Sequence, residues 1–175
     1  MMKHLWILGC FLLYGCGSIP TGLEPVRNFQ AERYMGRWYE IKRLNHPYEG
    51  GLTNVYADYR QMPDGTIEMT SHGFGVRENR WYSAKYQATF IGSKDIAGLK
   101  LSFGGSSARD DYNVLFIDPA YRYAIVTCDD RDGLWILSRE PVLDKSILDS
   151  LVAKAKTWDF LTEQLMVVEQ KSRGR

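Results

Sequence analysis

The sequence is poor in the residues that build disulfides, metal sites and most active sites. It has three cysteines and three histidines, and Cys10 and Cys16 both lie in the N-terminal segment. The remaining Cys128 has no partner, so we expect no disulfide. His46 and His72 lack the H-x-x-x-H and C-x-x-C spacings of metal sites, and no G-x-S-x-G motif or Lys-containing phosphate loop occurs. We therefore predict no metal, no cofactor and no enzymatic activity.

The sequence also lacks an excess of either charge. It carries 22 Lys and Arg residues against 21 Asp and Glu residues, and the N-terminal segment contributes one Lys and no acid. The rest of the chain is therefore formally neutral. No run of five basic residues occurs, whereas a protein that neutralises nucleic-acid phosphates carries a concentrated basic surplus. The charge distribution excludes nucleic acid as a partner.

No apolar run is long enough to span a bilayer permanently, but a shorter one lies at the N-terminus. Met1 to His4 form a short basic region, and Leu5 to Tyr14 form an apolar run of signal-peptide length. Residues 13–16, Leu-Tyr-Gly-Cys, resemble the bacterial lipobox, in which the cysteine is lipidated and becomes the new N-terminus. We therefore predict a lipoprotein signal peptide over residues 1–15 and lipidation of Cys16.

A lipidated Cys16 predicts a membrane-anchored protein. Gly17, instead of Asp, follows the cysteine, which in the bacterial sorting pattern indicates the outer membrane. Two lipid signals suffice for stable attachment, so acyl chains on this cysteine tether the domain without inserting it. We predict that residues 16–25 are a flexible tether. Cleavage before Cys10 is an alternative, and so is an ordinary signal peptide that releases a soluble periplasmic protein.

Short runs rich in β-branched and aromatic residues recur between turn signals, which is typical of an antiparallel meander. Turns are marked by Pro63-Asp64-Gly65, by Asp118-Pro119 and by the polar run from Asp129 to Gly133. Eight such strands close into a barrel that holds one small ligand. We therefore predict an all-β, eight-stranded antiparallel up-and-down barrel from the strands Trp38–Leu44, Thr53–Met62, Thr66–Phe74, Arg80–Ile91, Gly98–Phe103, Asp111–Asp118, Tyr123–Cys128 and Gly133–Arg139.

The hydrophobic period changes after the last predicted strand. From Ile147 to Ala155, apolar residues recur at spacings of three and four, behind a capping Asp144. This spacing predicts one C-terminal amphipathic α-helix, to which we assign packing and no chemistry.

Alternation along the strands separates an apolar face from a polar one. The apolar face includes Ala57, Ala84, Ala88 and Phe116. Small side chains leave space inside a barrel, although they can equally accommodate aromatic neighbours in a solid core. An aliphatic and aromatic interior suits a long acyl chain, because each buried methylene contributes about 0.8 kcal/mol. We predict that the ligand cavity is lined by Tyr59, Met69, Tyr86, Leu101, Tyr112, Val114 and Trp135.

Motifs near the two ends of the predicted barrel resemble those of the lipocalin family. Gly36-Arg37-Trp38-Tyr39 opens the first strand, Trp135 to Arg139 form the last one, and Asp118 to Arg122 lie between them. In lipocalins, an Arg from the last strand covers the Trp of the first. The resemblance therefore implies that Arg139 covers Trp38 and closes one end, a contact worth about 0.5 to 2 kcal/mol.

The resemblance covers Val26 to Val168, nearly the whole chain after the N-terminal segment, and implies a lipocalin domain over residues 26–175. It implies that the predicted helix packs on the barrel wall and that Leu165–Glu169 supply a short final strand. The sequence is most similar to the bacterial outer-membrane lipoprotein lipocalins and their animal relative apolipoprotein D. Three residues match positions that line the cavity in apolipoprotein D: Tyr59, Tyr112 and Trp135.

The expected function is that of a lipid-anchored outer-membrane lipocalin. We expect it to bind a single-chain lipid, a fatty acid or lysophospholipid, and to store or transport it for membrane maintenance. The barrel is expected to face the periplasm. Arg, Tyr and His side chains near the mouth are candidates for contact with a carboxylate or phosphate head group, namely Tyr48, His72, Arg77, Arg80 and Arg109.

An alternative from another class is an envelope stress or structural protein with a filled barrel. Such a protein acts through a protein partner or through self-association, for example as a homodimer. Exposed aromatic residues near one mouth favour this alternative, and the candidates are Phe74, Trp81 and Tyr82.

Two residues have no role in either hypothesis. Cys128 lies at a strand end and is predicted to be a packed, inert thiol. Glu40 follows the first-strand motif and is expected to be buried and paired with Lys42 or Arg43.

Overall fold

The computed structural model describes three stretches of the chain, residues 19–45, 49–104 and 109–170. The predictions for the signal peptide over residues 1–15, for Cys16 and for Tyr48 lie outside the described residues, and so does the side chain of Arg109. Within the described stretches, no helix is long and apolar enough to cross a membrane.

A closed antiparallel sheet dominates the described residues. Its strands are β1 (Gly36–Arg43), β2 (Leu52–Gln61), β3 (Ile67–Gly75), β4 (Arg80–Phe90), β5 (Gly98–Phe103), β6 (Arg109–Ile117), β7 (Tyr123–Thr127), β8 (Leu134–Ser138) and β9 (Met166–Val167). Consecutive strands pair from β1 to β8, and β1 pairs with both β2 and β8, which closes the barrel. β9 pairs with β1 outside the barrel. The predicted eight-stranded barrel is confirmed.

The bounds of the barrel strands follow the alternation and turn signals of the sequence. β5 begins and ends at the predicted residues, and the other barrel strands begin and end within two residues of theirs. The turn between β2 and β3 shows why. Asp64 accepts a hydrogen bond from the Thr66 amide at 2.9 Å, and Gly65 has a φ of 84°, which side-chain-bearing residues rarely adopt.

A bulge in β6 changes the side that Phe116 faces. Val114 pairs with Val126, whereas Phe116 pairs with Ile125, so one extra residue lies between the two pairs. Leu115 and Phe116 consequently both pack in an apolar cluster outside the barrel. The expectation that Phe116 faces the interior is wrong, because strict alternation does not hold across a bulge.

The C-terminal helix covers one side of the barrel, as predicted. This helix, α2 (Lys145–Lys156), begins after Asp144, whose carboxylate accepts a hydrogen bond from the Ser146 amide at 2.8 Å. Leu151 and Ala155 are fully buried. They belong to an outer cluster between helix and wall, whose buried members are Leu23, Ile41, Leu44, Leu115, Ile125, Leu134, Ile136, Leu151, Ala155, Phe160 and Leu165.

The second half of the predicted tether packs on the barrel. Leu23 is only 8% exposed and belongs to the outer cluster, with Ile19 packed against it. The carbonyl of Thr21 accepts a hydrogen bond from the Arg131 guanidinium at 2.9 Å. From Ile19 onward, the segment therefore differs from the predicted flexible tether. Its Pro and Gly content indicates flexibility, but its apolar side chains find a surface on the folded domain.

Candidate functional site

One end of the barrel is closed by Arg139 and Trp38. The Arg139 guanidinium carbon lies 4.0 Å from the centroid of the Trp38 ring, which is fully buried. The same guanidinium donates to the carbonyls of Arg37 and Arg33, each at 2.7 Å, and to that of Tyr121 at 3.2 Å. It thus joins β1, the turn after β6 and the chain before β1. The structure places this pair as the resemblance implies.

The other face of Trp38 is covered by Tyr34, the last residue of the short helix α1 (Ala31–Tyr34). The two rings stack with centroids 4.8 Å apart, and the Trp38 indole donates to the Tyr34 carbonyl at 2.8 Å. Phe29 packs on Tyr34 at 5.3 Å and on Tyr121 at 6.2 Å. These aromatic rings fill the closed end.

A cavity of about 580 Å³ lies above this closed end and extends to the opposite mouth. Ala57 and Ala84 lie on its wall, so small side chains do leave space there. Val114 is fully buried in the packed part of the interior and is not on the cavity wall. The structure brings the other six predicted residues together along the wall: Tyr59, Met69, Tyr86, Leu101, Tyr112 and Trp135.

A chain of three tyrosine hydroxyls lies toward the closed end, and two of its members, Tyr59 and Tyr112, line the cavity. The Tyr112 hydroxyl lies 2.6 Å from that of Tyr34 and 2.8 Å from that of Tyr59. Burial raises the pKa of Tyr59 and Tyr112 well above the ordinary value, so all three phenols are neutral at physiological pH. Three hydroxyl protons form two hydrogen bonds within the chain. A proton is therefore left over to donate outside it.

A buried polar group lies on the cavity wall where β1 ends. Arg43 is 1% exposed and donates to the Glu40 carboxylate at 2.9 Å and to the Glu49 carbonyl. The Glu49 carboxylate accepts from the Trp135 indole at 3.0 Å. Burial and the neighbouring Glu49 carboxylate raise the pKa of Glu40 well above its usual range, although Arg43 opposes the shift. The expected pairing of Glu40 is thus with Arg43.

The mouth has an acidic side. Asp110 lies at the start of β6, and Asp129, Asp130 and Asp132 lie in the loop between β7 and β8; all four line the cavity. These four carboxylates are exposed at the surface. They make this side of the entrance favourable for a cationic group and unfavourable for an anionic one.

The head-group candidates occupy the opposite side of the mouth. His72 lies on β3, but its ring faces outward, where it stacks on Tyr56 with ring centroids 4.7 Å apart and lies 3.9 Å from Asp58. Arg77 is exposed in the turn between β3 and β4, and Arg80 is exposed at the start of β4, over the ring of Tyr82 at 4.4 Å. The entrance is therefore polarised, with basic groups facing acidic ones across it.

The three aromatic residues expected to be exposed differ in their environments. Trp81 is 51% exposed and packs edge-on against Phe74, with ring centroids 5.6 Å apart. Phe74 and Tyr82 are only partly exposed, and Tyr82 lines the cavity. Two further apolar side chains, Val76 and Phe103, are 54% and 57% exposed at the same end of the barrel.

Cys128 lies at the mouth, at the start of the loop between β7 and β8. Burial raises the pKa of its thiol to about 11, so it is protonated and a poor nucleophile at neutral pH. Its sulfur and carboxylate oxygens of Asp129 and Asp130 lie within 4.8 Å of one another. A protonated thiol is a weak metal ligand, so this cluster supports no metal assignment.

Comparisons with known proteins agree with this geometry. A family model described as "Lipocalin-like domain" matches residues 29–170. The chain is 35% identical to the outer membrane lipoprotein Blc of Vibrio cholerae, over 97% of this chain and 100% of that protein. It is 38% identical to the protein of the same name from Escherichia coli K12, over 91% of each chain. The predicted location, a lipid-anchored protein of the outer membrane, is confirmed by these relatives.

Solved structures show the same fold at low sequence identity. The cockroach allergen Per a 4 superposes with a TM-score of 0.70 at 19% identity, over 89% of this chain and 96% of that chain. Insecticyanin from the tobacco hornworm Manduca sexta superposes with a TM-score of 0.68 at 17% identity, over 90% of this chain and 88% of that chain. With the family model and the bacterial relatives, these matches show that the chain belongs to the lipocalin family.

Proposed function

We propose that this lipocalin binds one single-chain lipid, a fatty acid or a lysophospholipid, and stores or transports it for maintenance of the outer membrane. The proposal is carried by the cavity, whose 580 Å³ lies within the range of roughly 300 to 1,000 Å³ typical of small-ligand sites. Its apolar wall can stabilise an acyl chain by about 0.8 kcal/mol per buried methylene. A cavity of this volume favours ligand binding over the filled-barrel alternative, and binding requires no reacting group.

The polarised entrance favours a zwitterionic head group over a free carboxylate. A zwitterionic head group can orient in this field, with its phosphate toward Arg80 and its ammonium toward Asp129 and Asp130, although it is too short to contact both sides at once. A fatty acid offers a single negative charge and leaves the acidic side without a partner. Lysophosphatidylethanolamine is therefore the ligand that best complements this mouth.

Binding can be tested with the mature protein and lipids that share one acyl chain. We expect native mass spectra to show saturable one-to-one complexes with 16-carbon lysophosphatidylethanolamine, and weaker ones with palmitate and lysophosphatidylglycerol. Ala84→Phe, which fills the cavity, is expected to abolish the complexes. Gln87→Phe, on the outer face of the same strand, is the matched control and should bind as the parent does. An unliganded mass with all three lipids would contradict the proposal.

We further propose that Cys16 carries the lipid anchor and that the barrel lies on the periplasmic side of the outer membrane. Cys16→Ser should move the protein from the membrane fraction to the soluble periplasmic fraction, because no acyl chains remain to hold it. Cys10→Ser is the matched control, since Cys10 lies within the predicted signal peptide and should leave the location unchanged. A Cys16→Ser protein that stays in the outer-membrane fraction would overturn this assignment.

A further inference from the structure

We propose that the open mouth of the barrel faces the bilayer that holds the anchor, and that the tip of the β3–β4 hairpin contacts the bilayer surface. The inference rests on the proposed lipid anchor at Cys16. It is carried by two separate features on opposite sides of the mouth: the place where the N-terminal segment leaves the domain, and an exposed apolar and basic hairpin.

The N-terminal segment runs along the outer wall toward the mouth. Val26 donates to the Val114 carbonyl at 2.8 Å, nearer to the closed end than to the mouth, and Leu23 is buried in the outer cluster. The Arg131 guanidinium then donates to the carbonyl of Thr21 and to that of Trp158, each at 2.9 Å. Arg131 belongs to the loop between β7 and β8, at the mouth. The segment is therefore fixed at the open end.

This position limits where the anchor can be. Consecutive Cα atoms are about 3.8 Å apart, so the five links from Cys16 to Thr21 span at most about 19 Å. β4 has 11 residues and is the longest strand; at about 3.3 Å per residue and a tilt of about 35 to 45°, the barrel is roughly 26 to 30 Å long on this side. The acyl chains on Cys16 therefore reach the bilayer beside the mouth, while the closed end with Trp38 and Arg139 is beyond their reach.

The opposite side of the mouth carries a surface suited to a membrane. In the closed strand order, the β3–β4 hairpin lies four strands away from the β7–β8 loop, directly across the entrance. Val76 and Trp81 are more than half exposed on this hairpin, and Arg77, Glu78 and Arg80 are exposed between them, which leaves one positive charge in excess. Trp at a membrane interface and Arg near anionic phosphates are both favourable. The anchor and the hairpin together hold the mouth at two points across its diameter.

This orientation gives a lipid a short route into the cavity. The covalent anchor holds the acidic side of the mouth, with Asp129, at the bilayer surface. The hairpin supplies the attraction to anionic lipid. A single-chain lipid that leaves the bilayer at this point enters the barrel without crossing bulk water. The orientation also exposes the polarised entrance to lipid head groups.

The test uses the mature lipoprotein added to preformed vesicles of phosphatidylethanolamine and phosphatidylglycerol. A polarity-sensitive fluorophore is attached to Glu78→Cys at the hairpin tip or to Ala120→Cys in the turn between β6 and β7, each in a Cys128→Ser background. Spin-labelled lipids should quench most of the fluorescence at residue 78 and little at residue 120. Equal quenching, or stronger quenching at residue 120, would overturn the proposed orientation.

Replacement of the exposed apolar residues separates hairpin contact from anchoring. Val76→Ser with Trp81→Ser should reduce quenching at residue 78 severalfold while the protein still floats with the vesicles. Ile91→Ser, at the closed end, is the matched control and should leave quenching unchanged. The hairpin tip could instead be a homodimer surface. In that case the variant with both substitutions will be monomeric in detergent, and quenching at residue 78 will be unaltered, which would contradict the proposal. None of these outcomes tests lipid binding in solution, so the proposed orientation can fail while the proposed lipid binding stands.

Discussion

The guanidinium of Arg139 lies 4.0 Å above the ring of Trp38 and donates to three main-chain carbonyls at the same time. Those carbonyls belong to Arg33, Arg37 and Tyr121, in three separate parts of the chain. The contact therefore fastens the first and last barrel strands and the turn after β6 at one end. Because this end is closed, the space inside the barrel can remain open only toward the other end.

Arg139→Lys should lower the free energy of unfolding by about 2 kcal/mol. The ammonium of Lys cannot form the planar fork that reaches three carbonyls and covers the indole. Loss of the guanidinium therefore leaves carbonyls without donors. Urea unfolding followed by circular dichroism measures the effect. Arg60→Lys is the control, because Arg60 is exposed and pairs with Glu68 on the surface. Equal stability of the two variants would contradict a structural role for the Arg139 fork.

Most of the barrel was predictable because its signals are local. Alternation and turn residues place the strands, and the motifs at Trp38 and Arg139 identify the pair that closes one end. The exception is Phe116, whose orientation depends on a bulge that no composition signal in β6 reveals. Val114 lies on the expected face but too near the packed end to reach the cavity, since periodicity assigns a face and gives no depth.

The polar residues of the site were less predictable than its apolar wall. Tyr34 contributes the third hydroxyl, behind the cavity wall, and the sequence marks it only as part of the stretch that leads into the Gly36–Tyr39 motif. Glu49 lies in the loop between β1 and β2, where no periodicity applies, yet it bonds the Trp135 indole. Such contacts join residues that are distant in sequence, so they depend on how the barrel closes.

Tyr112→Phe should destabilise the fold more than Tyr59→Phe does. The Tyr112 hydroxyl bonds both neighbouring phenols, whereas the Tyr59 hydroxyl bonds only Tyr112 within this chain of hydroxyls. Loss of the central group leaves buried hydroxyls without partners, at about 1 to 3 kcal/mol. Urea unfolding of both single variants and the double variant measures the coupling. If Tyr59→Phe lowers the free energy of unfolding equally in the wild type and in the Tyr112→Phe variant, the three hydroxyls are not energetically coupled.

Cys128 should react slowly with alkylating reagents although it is partly exposed. Only the thiolate reacts, and a pKa of about 11 leaves little thiolate at pH 8. We expect the rate of iodoacetamide modification to be at least about tenfold below that of free cysteine, whose pKa is about 8.5. The rate should still be rising at pH 9.5. A rate that levels off near pH 8 would show that burial does not raise this pKa.

Glu40→Gln should change how stability depends on pH. The raised pKa of Glu40 means that the folded state binds more protons than the unfolded state, so the wild type loses stability as pH rises above about 4.3, the ordinary Glu value. Gln keeps an acceptor for Arg43 and cannot ionise. The unfolding free energy of the variant should therefore increase relative to that of the wild type as pH rises from 4 to 8.

Glu68→Gln is the matched control with the opposite sign. Lys85 and Arg60 hold the pKa of Glu68 below its usual range, so its ionised form contributes stability above the unfolded pKa that is lost as pH falls. Relative to the wild type, this variant should become less stable as pH rises from 3 to 6. If both variants shift in the same direction in urea unfolding across this range, the pKa of Glu40 is not raised by burial and by Glu49.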